Sequence, residues 1–296
     1  NGATWYGKEV FKNKTGGTLW TWGMNGYGTQ GLNDLTQRSS PTQVPGLGWA
    51  INATTNGEDN KSFAAEYNTG VIKTDGTLWV WGRNDFGQLG QNTQGDSHSS
   101  PVQVPGTTWR TLHYAGYNNR LVGAIKTDGT LWVWGRNTYW ISGNPTGDGG
   151  QLGLNDKTSR SSPTQVGSDT TWKNVYGGGL NMAATKTDGT LWTWGRNNDH
   201  GELGHNSLND TESPKQVGSG TDWKSAYGGG DTSMCFIKTD GTLWVVGNNA
   251  NGQLGQNNKV SYSSPVQVPG TNWVKVTAGG GGSNTGGIKT DGTLWV

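Results

Sequence analysis

The chain has 296 residues, a formal net charge of +1 and only 15% charged residues, together with 52 glycines and 17 tryptophans. Nucleic-acid binding requires a dense basic face that neutralises phosphates, and Lys and Arg do not cluster in this way here, which excludes nucleic acid as a partner. No apolar run reaches the roughly 18 residues that span a bilayer, which excludes membrane insertion, and the single cysteine, Cys235, excludes an intrachain disulfide.

A seven-residue segment of the form Lys-Thr-Asp-Gly-Thr-Leu-Trp recurs along the whole chain, beginning with the degenerate copy Lys14–Trp20. Consecutive copies are 51 to 60 residues apart. A period of this length suits a four-stranded β unit and predicts a propeller or a solenoid. The tryptophans that close the copies are Trp20, Trp79, Trp132, Trp192, Trp244 and Trp295.

The second copy shows what one repeat encodes. Asp75-Gly76 predicts a two-residue hairpin, because glycine accepts the positive φ of a primed turn. The strand Thr77–Trp81 is apolar on both faces, which predicts that it is sandwiched between neighbouring sheets. Further strands are predicted at Ser100–Val104, from Trp109 and at Leu121–Lys126. Four short antiparallel strands in each repeat are typical of a propeller blade.

The amino-acid sequence of the repeats resembles that of a known protein family. The run LWVWGRNDFGQLG followed by SPVQVPG recurs as LWTWGRNNDHGELG with SPKQVG and as LWVVGNNANGQLG with SPVQVPG. These runs are similar to the RCC1 (regulator of chromosome condensation) repeat, and the resemblance extends from about Lys14 to Val296. It implies a β-propeller, usually of seven blades, but not a particular function, because such repeats serve many roles.

We expect one all-β domain over residues 1–296, a β-propeller of six blades with four antiparallel strands in each blade. A seven-bladed propeller with missing residues is the alternative. The predicted units cover residues 1–45, 46–105, 106–167, 168–218, 219–268 and 269–296.

Most of the apparent catalytic or binding motifs in the sequence coincide with positions of the repeat, which explains their residues without a chemical role. The glycine pattern Gly26–Gly31 resembles a phosphate loop, but it aligns with Asp85–Gly90 and no helix follows it. Cys235 is predicted to be a buried thiol in a strand. Because no acid, base, nucleophile or metal constellation remains, we expect no enzymatic activity, no metal and no cofactor. The four histidines, none with a second ligand at zinc spacing, are His98, His113, His200 and His205.

Two sets of basic residues recur at fixed repeat positions. The lysines that open each repeated segment are predicted to lie at solvated hairpin tips; the less favoured alternative is a ring of lysines that binds an anion. The arginines that follow Trp-Gly are predicted to stack on neighbouring indoles, although Met24 and Asn248 replace them in two copies. The three arginines are Arg83, Arg136 and Arg196.

Two insertions interrupt the repeat and supply the candidate binding residues. Trp140 is the one tryptophan without a repeat position, and it lies in an added loop beside Tyr139 and Ile141. A second insertion, roughly Asn52 to Gly70, is the longest stretch that breaks the repeat. Aromatic residues on propeller loops supply much binding energy, so we expect a contact site here; the alternative is that these residues cap a neighbouring blade. The candidates from the second insertion are Glu58, Asp59 and Tyr67.

The neutral surface, rich in Asn, Thr and Gly, favours a binding or assembly propeller on a virion or an extracellular surface. Such a protein would contact a protein or glycan partner through its inserted loops, within a larger assembly. The resemblance to RCC1 implies an alternative, an intracellular regulator that exchanges nucleotide on a GTPase or acts as a protein scaffold. An ultraviolet sensor is disfavoured, because Thr108–Thr111 is only a fragment of the Gly-Trp-Arg-His-Thr signature of such sensors.

Overall fold

A computed structural model describes residues 17–49, 61–64, 67–115, 120–138, 149–197, 200–229, 232–278 and 284–296. Every regular element within these ranges is a β-strand, and the strands form six antiparallel sheets. The prediction of an all-β chain is therefore confirmed.

The strands fall into six consecutive groups. Sheet 1 contains β1 (Trp20–Gly23) and β2 (Arg38–Gln43), and sheet 2 contains β3 (Ser62–Ala64), β4 (Asn68–Ile72), β5 (Leu78–Gly82) and β6 (His98–Val104). Sheet 3 contains β7 (Trp109–Ala115), β8 (Leu121–Lys126), β9 (Leu131–Gly135) and β10 (Arg160–Gln165). Sheet 4 contains β11 (Trp172–Gly177), β12 (Asn181–Lys186), β13 (Leu191–Gly195) and β14 (Thr211–Gln216). Sheet 5 contains β15 (Trp223–Gly229), β16 (Ser233–Lys238), β17 (Leu243–Gly247) and β18 (Tyr262–Gln267), and sheet 6 contains β19 (Trp273–Ala278), β20 (Thr285–Lys289) and β21 (Leu294–Trp295).

The sheets are arranged radially. Strands pair in chain order within each sheet, and the first strands of successive sheets pack on one another, β3 on β7, β7 on β11, β11 on β15 and β15 on β19. The strands that carry Ser-Pro, such as β6 and β10, lie at the opposite edge of their sheets. This is a β-propeller with its first strands innermost and six blades among the described residues, as predicted. The residue limits of the repeat units stay a prediction.

The third strand of each complete sheet is enclosed on both faces. Leu78, Val80 and Trp81 are fully buried, and Trp79 is partly buried, so the predicted sandwiching of this strand is confirmed. The same burial pattern recurs in β9, β13 and β17. Burial of this apolar surface between sheets is the main source of stability of the propeller.

In sheets 2, 3 and 4 a direct hydrogen bond also ties the sheet to the one before it. The indole N–H of Trp194 in sheet 4 donates to the backbone carbonyl of Gln151, in the loop that follows β9, at 3.0 Å. Trp81 and Trp134 make the corresponding bonds to Thr29 and Gln88. The loop must pass close to the indole, since a Cβ on Gly153 would lie 2.6 Å from the ring nitrogen of Trp194. The loop glycines of the repeat are therefore required by packing between blades.

The repeated hairpin differs from the two-residue primed turn that the sequence predicts. Of its loop residues only Gly76 has a positive φ, at 80°. The carboxylate of Asp75 accepts hydrogen bonds from the amide and the hydroxyl of Thr77. The Gly76 amide donates to the carbonyl of Lys73, and the Lys73 amide donates to that of Thr77. The loop therefore has three residues, a type I turn followed by a left-handed glycine.

The sequence predicted that the lysines that open the hairpins lie at solvated tips, and this prediction is wrong. In five sheets the ammonium nitrogen lies 3.8 to 4.9 Å from the centroids of two indoles that meet edge to face. One indole is on the third strand and the other is on the first strand, or, in sheet 2, on Trp49, which bridges Lys73 ahead of β3. Each lysine therefore makes a cation–π contact that joins the inner and third strands of its own sheet. The lysines are Lys73, Lys126, Lys186, Lys238 and Lys289.

Candidate functional site

One end of the propeller collects the residues that follow Trp-Gly. The Arg83 amide donates to the carbonyl of Tyr67 at 2.9 Å, and the Arg136 amide donates to that of Arg120 at 2.7 Å. The residue after the third strand is thus paired with the residue before the second strand of the same sheet. Because both positions lie at the same end of every sheet, side chains from neighbouring blades meet there.

The first half of the site is a stacked arginine. The guanidinium carbon of Arg83 lies 4.9 Å from the ring centroid of Tyr27 and 5.2 Å from that of Tyr67. The two tyrosine rings meet edge to face, with 5.2 Å between their centroids. The Arg83 Nε also donates to the Asp85 carboxylate at 2.6 Å, and this contact raises the pKa of Arg83 above its ordinary value. Two rings and one carboxylate therefore fix the guanidinium in place.

The second half is built around one phenylalanine. Phe86 belongs to the loop after β5 in sheet 2, and the guanidinium carbons of Arg120 and Arg136, both from sheet 3, lie 4.9 Å and 4.7 Å from its ring centroid. Burial lowers the pKa of Arg120, and the positive charge of Arg83 lowers it further. The two halves are therefore close enough to interact electrostatically. Together they form the arginine–aromatic cluster, which comprises Tyr27, Tyr67, Arg83, Asp85, Phe86, Arg120 and Arg136.

The predicted stacking on indoles is wrong for Arg83 and Arg136, which contact tyrosine and phenylalanine rings. The physical reason is the burial of the indoles: the side chains of Trp81 and Trp134 lie between sheets, fully buried, and donate their N–H groups to the preceding blade. Their rings are not accessible to the end face. The arginines stack instead on the aromatic residues that the loops present there.

Of the six residues that the sequence singles out for binding, only Tyr67 lies within the described residues, and it belongs to the cluster. A bridge between Thr138 and Gly149 closes the base of the first insertion, two residues beyond Arg136. The described ends of that insertion, Thr138 and Gly149, therefore lie near Arg136 in the chain and in the sheet. The candidates outside the described residues are Glu58, Asp59, Tyr139, Trp140 and Ile141.

The second insertion is shorter than the sequence predicted. Trp49 bridges Lys73, and Ser62 then pairs with Val71, so the inner strand of sheet 2 resumes at β3 after the extra residues. Residues 68–70, assigned to the insertion from the sequence, belong to β4. The extra residues interrupt one strand, and the strand pairs regularly both before and after them. The spacing of the repeat shows how many residues are added but not where pairing resumes, so the predicted end of the insertion was wrong.

Sequence reasoning missed Tyr27, Phe86 and Arg120 as site residues. Tyr27 and Phe86 occupy the same repeat position, two residues after a buried asparagine, where the fifth copy has Asn251. An aromatic residue at this position in the first three copies, Tyr139 in the third, and in neither of the next two was a signal that the repeat alone does not explain. Arg120 carried no such signal, because it lies in a connection between strands whose sequence varies between copies.

The other titratable groups fit structural roles. Cys235 is buried, and burial raises its pKa to about 12, as expected for the predicted buried thiol. Within the described ranges, no group of three or more His, Cys, Asp or Glu side chains is placed to hold a metal ion. The same ranges contain no helix that is long and apolar enough to cross a membrane.

His205 gives a pH-dependent contribution to stability. The hydroxyl of Thr193 donates to the Leu203 carbonyl, so the His205 Nε2, 3.0 Å from that hydroxyl, carries the hydrogen of the neutral ring. Burial and then the charge of Lys215 lower the pKa of His205 from 6.5 to about 4. A histidine whose pKa falls on folding adds stability that is present above pH 6.5 and is lost as the pH falls towards 4.

We expect the variant His205→Gln to flatten this dependence. Glutamine occupies the matching position in two sister copies, Gln91 and Gln256, and does not titrate. Between pH 7 and pH 4 the wild type should lose about 2 kcal/mol more of its free energy of unfolding than the variant, a value reduced to allow for partial exposure of the ring. Urea unfolding at a series of pH values measures the difference, and identical pH profiles for both proteins would contradict the assignment.

Comparison with known proteins shows which repeat family this chain is similar to. The family model described as "Regulator of chromosome condensation (RCC1) repeat" matches residues 75–112, 188–236 and 240–283. The human "Probable E3 ubiquitin-protein ligase HERC3" is 29% identical over 204 residues, which cover 68% of this chain and 18% of that protein. The Arabidopsis thaliana "Ultraviolet-B receptor UVR8" is 28% identical over 265 residues, which cover 88% of this chain and 55% of that protein.

Solved structures show the same fold. Human WBSCR16 superposes with a TM-score of 0.68 at 20% identity, over 90% of this chain and 66% of that one. Yeast RCC1 (Prp20), in its complex with Kap60, superposes with a TM-score of 0.68 at 16% identity, over 99% of this chain and 69% of that one. The chain spans about a fifth of the length of HERC3 and about half of the length of UVR8.

Proposed function

We propose that this β-propeller, three segments of which match the model of the RCC1 repeat, is a non-enzymatic module that regulates or scaffolds another protein by binding it inside the cell. The arginine–aromatic cluster forms the centre of the contact surface. The placement of three arginines and three aromatic rings from adjacent blades at one end of the propeller is the observation that carries the proposal.

The composition and rigidity of the cluster support this role. Arginine and tyrosine are enriched among the residues that dominate binding energy in protein interfaces. Arg83 is held between two rings, and Arg120 and Arg136 share the ring of Phe86, so these long side chains are ordered before any partner arrives. Preorganisation of this kind reduces the entropy lost on binding.

The similar proteins favour a protein partner over a glycan. One solved structure is of yeast Prp20 bound to Kap60, and a second is of Prp20p from Saccharomyces cerevisiae, described together with its binding to Gsp1p and histones. None of the relatives described above supports a virion or cell-surface role, so we propose the intracellular alternative in its place. HERC3 is described as a probable ligase, but this chain matches only 18% of it, and we do not extend that activity to this protein.

Charge reversal at the cluster tests the proposal. The immobilised chain is used to capture proteins from a cell extract, in parallel with Arg136→Glu and with Lys215→Glu, which makes the same charge change at an exposed lysine on β14. We expect a defined set of proteins on the wild type and on Lys215→Glu that is lost from Arg136→Glu. Equal recovery on all three would contradict binding through the cluster.

Nucleotide exchange is separated from scaffolding by a second assay. Scaffolding predicts that release of fluorescent GDP from Gsp1p proceeds at its intrinsic rate in the presence of this chain. Faster release that is lost in Arg136→Glu would assign exchange activity to the same face and would replace the scaffolding proposal.

A further inference from the structure

We propose that the arginine–aromatic cluster recognises a carboxylate-rich segment, a run of Asp and Glu side chains on the partner protein. This inference rests on the proposed function and specifies the chemistry of the partner.

The first argument is the charge balance of the cluster. The cluster holds three permanent positive charges around two groups of rings, on Arg83, Arg120 and Arg136. Asp85 is the one carboxylate among the residues that define the cluster. Two of the guanidinium groups contact the same Phe86 ring, and the charge of Arg83 disfavours that of Arg120. Like charges held close together by the fold are stabilised when an anion from outside binds between them.

The second argument is an unused donor. The Nε of Arg120 is buried and has no hydrogen-bond partner among the described residues. A buried donor without a partner is costly, and a guanidinium is suited to a carboxylate that accepts two parallel hydrogen bonds. A carboxylate that binds at Arg120 would therefore supply an acceptor that the described residues do not provide.

The third argument selects carboxylates over nucleic-acid phosphates. Stacking on a ring covers one face of a guanidinium and leaves its planar edge for a planar carboxylate. A nucleic-acid site needs a continuous basic stripe, whereas this chain has a net charge of only +1. Carboxylates are also the anions that a partner protein presents without modification.

Binding of deca-glutamate to the intact chain tests the inference. The peptide carries fluorescein, and anisotropy is measured for the wild type, Arg120→Gln, Arg136→Gln and Arg136→Lys. The matched control is Arg160→Gln, which removes an arginine that pairs with Asp156 beside the outer strand of sheet 3, at 2.5 Å. Deca-glutamine and a ten-nucleotide oligo-dT are the comparison ligands, and the thermal unfolding midpoint of each variant shows that it is folded.

We expect saturable binding of deca-glutamate that is about tenfold weaker in Arg120→Gln and in Arg136→Gln and within about twofold of wild type in Arg160→Gln. Arg136→Lys should restore only part of the loss, because lysine keeps the charge without the planar fork. Equal weakening by Arg160→Gln, or oligo-dT binding as tight as that of deca-glutamate, would overturn the inference. If capture of partners depends on Arg136 while deca-glutamate binding does not, the proposed function stands and the carboxylate assignment fails.

Discussion

Replacing Trp194 by alanine is expected to lower the free energy of unfolding by about 4 kcal/mol. The indole is fully buried between sheets 3 and 4, where it packs against Leu131, Leu152 and Trp172. Its N–H also donates to the Gln151 carbonyl, which would lose this partner. Both the cavity and the unpaired carbonyl act on the interface between two blades, so the loss should exceed that of an ordinary surface substitution.

The control for this prediction is another tryptophan at the same repeat position. Trp22 in sheet 1 follows Leu-Trp-Thr as Trp194 does, but 61% of its surface is exposed. We expect Trp22→Ala to change the free energy of unfolding by less than about 1 kcal/mol. Urea unfolding followed by far-ultraviolet circular dichroism compares the two variants without relying on tryptophan fluorescence. An equal decrease in the free energy of unfolding in both variants would show that packing between blades does not determine the cost of removing the indole.

The difference between these two tryptophans illustrates what the sequence could predict. The spacing of Leu-Trp and Trp-Gly predicted blades and buried indoles, because a strand that is apolar on both faces requires a sheet on each side. Sequence spacing does not show which neighbour covers a given copy. The exposure of Trp22 and the burial of Trp194 therefore follow from their places in the array, which only the structure supplies.

The candidate site was less predictable than the fold. Tyr67 was selected as part of the second insertion, and it does belong to the cluster, but its contact with Arg83 joins residues that flank two strands of one sheet. The contact of Phe86 with Arg136 joins two different sheets. Contacts between blades depend on the rotation from one sheet to the next, and a single sequence carries no direct record of that rotation.

The repeated asparagine after Gly-Arg or its equivalent is a second feature whose role only the structure shows. Asparagine is fully buried at this position in five loops. In each, the amide group donates to backbone carbonyls further along the loop, and the side-chain oxygen accepts from a backbone amide. The side chain thus replaces hydrogen bonds that a loop without secondary structure would lack. The residues are Asn25, Asn84, Asn137, Asn197 and Asn249.

Asn197→Leu is therefore expected to lower the free energy of unfolding by about 3 kcal/mol. The Asn197 Nδ2 donates to the carbonyls of Ser207 and Asn209 at 2.7 and 3.0 Å, and its Oδ1 accepts from the Leu203 amide at 2.8 Å. Leucine has a similar size but makes none of these bonds, so a buried amide and two carbonyls lose their partner. The size of the loss reflects unsatisfied polar groups and not a cavity.

Two measurements separate this explanation from a general loss of packing. Asn251→Leu makes the same chemical change at an exposed loop position and should alter the free energy of unfolding by less than about 0.5 kcal/mol. Native-state hydrogen exchange of the Leu203 amide should be faster in Asn197→Leu than in wild type, because its acceptor has been removed while the strands of sheet 4 remain paired. Unchanged exchange at Leu203 would show that the asparagine does not hold this loop, whatever the change in overall stability.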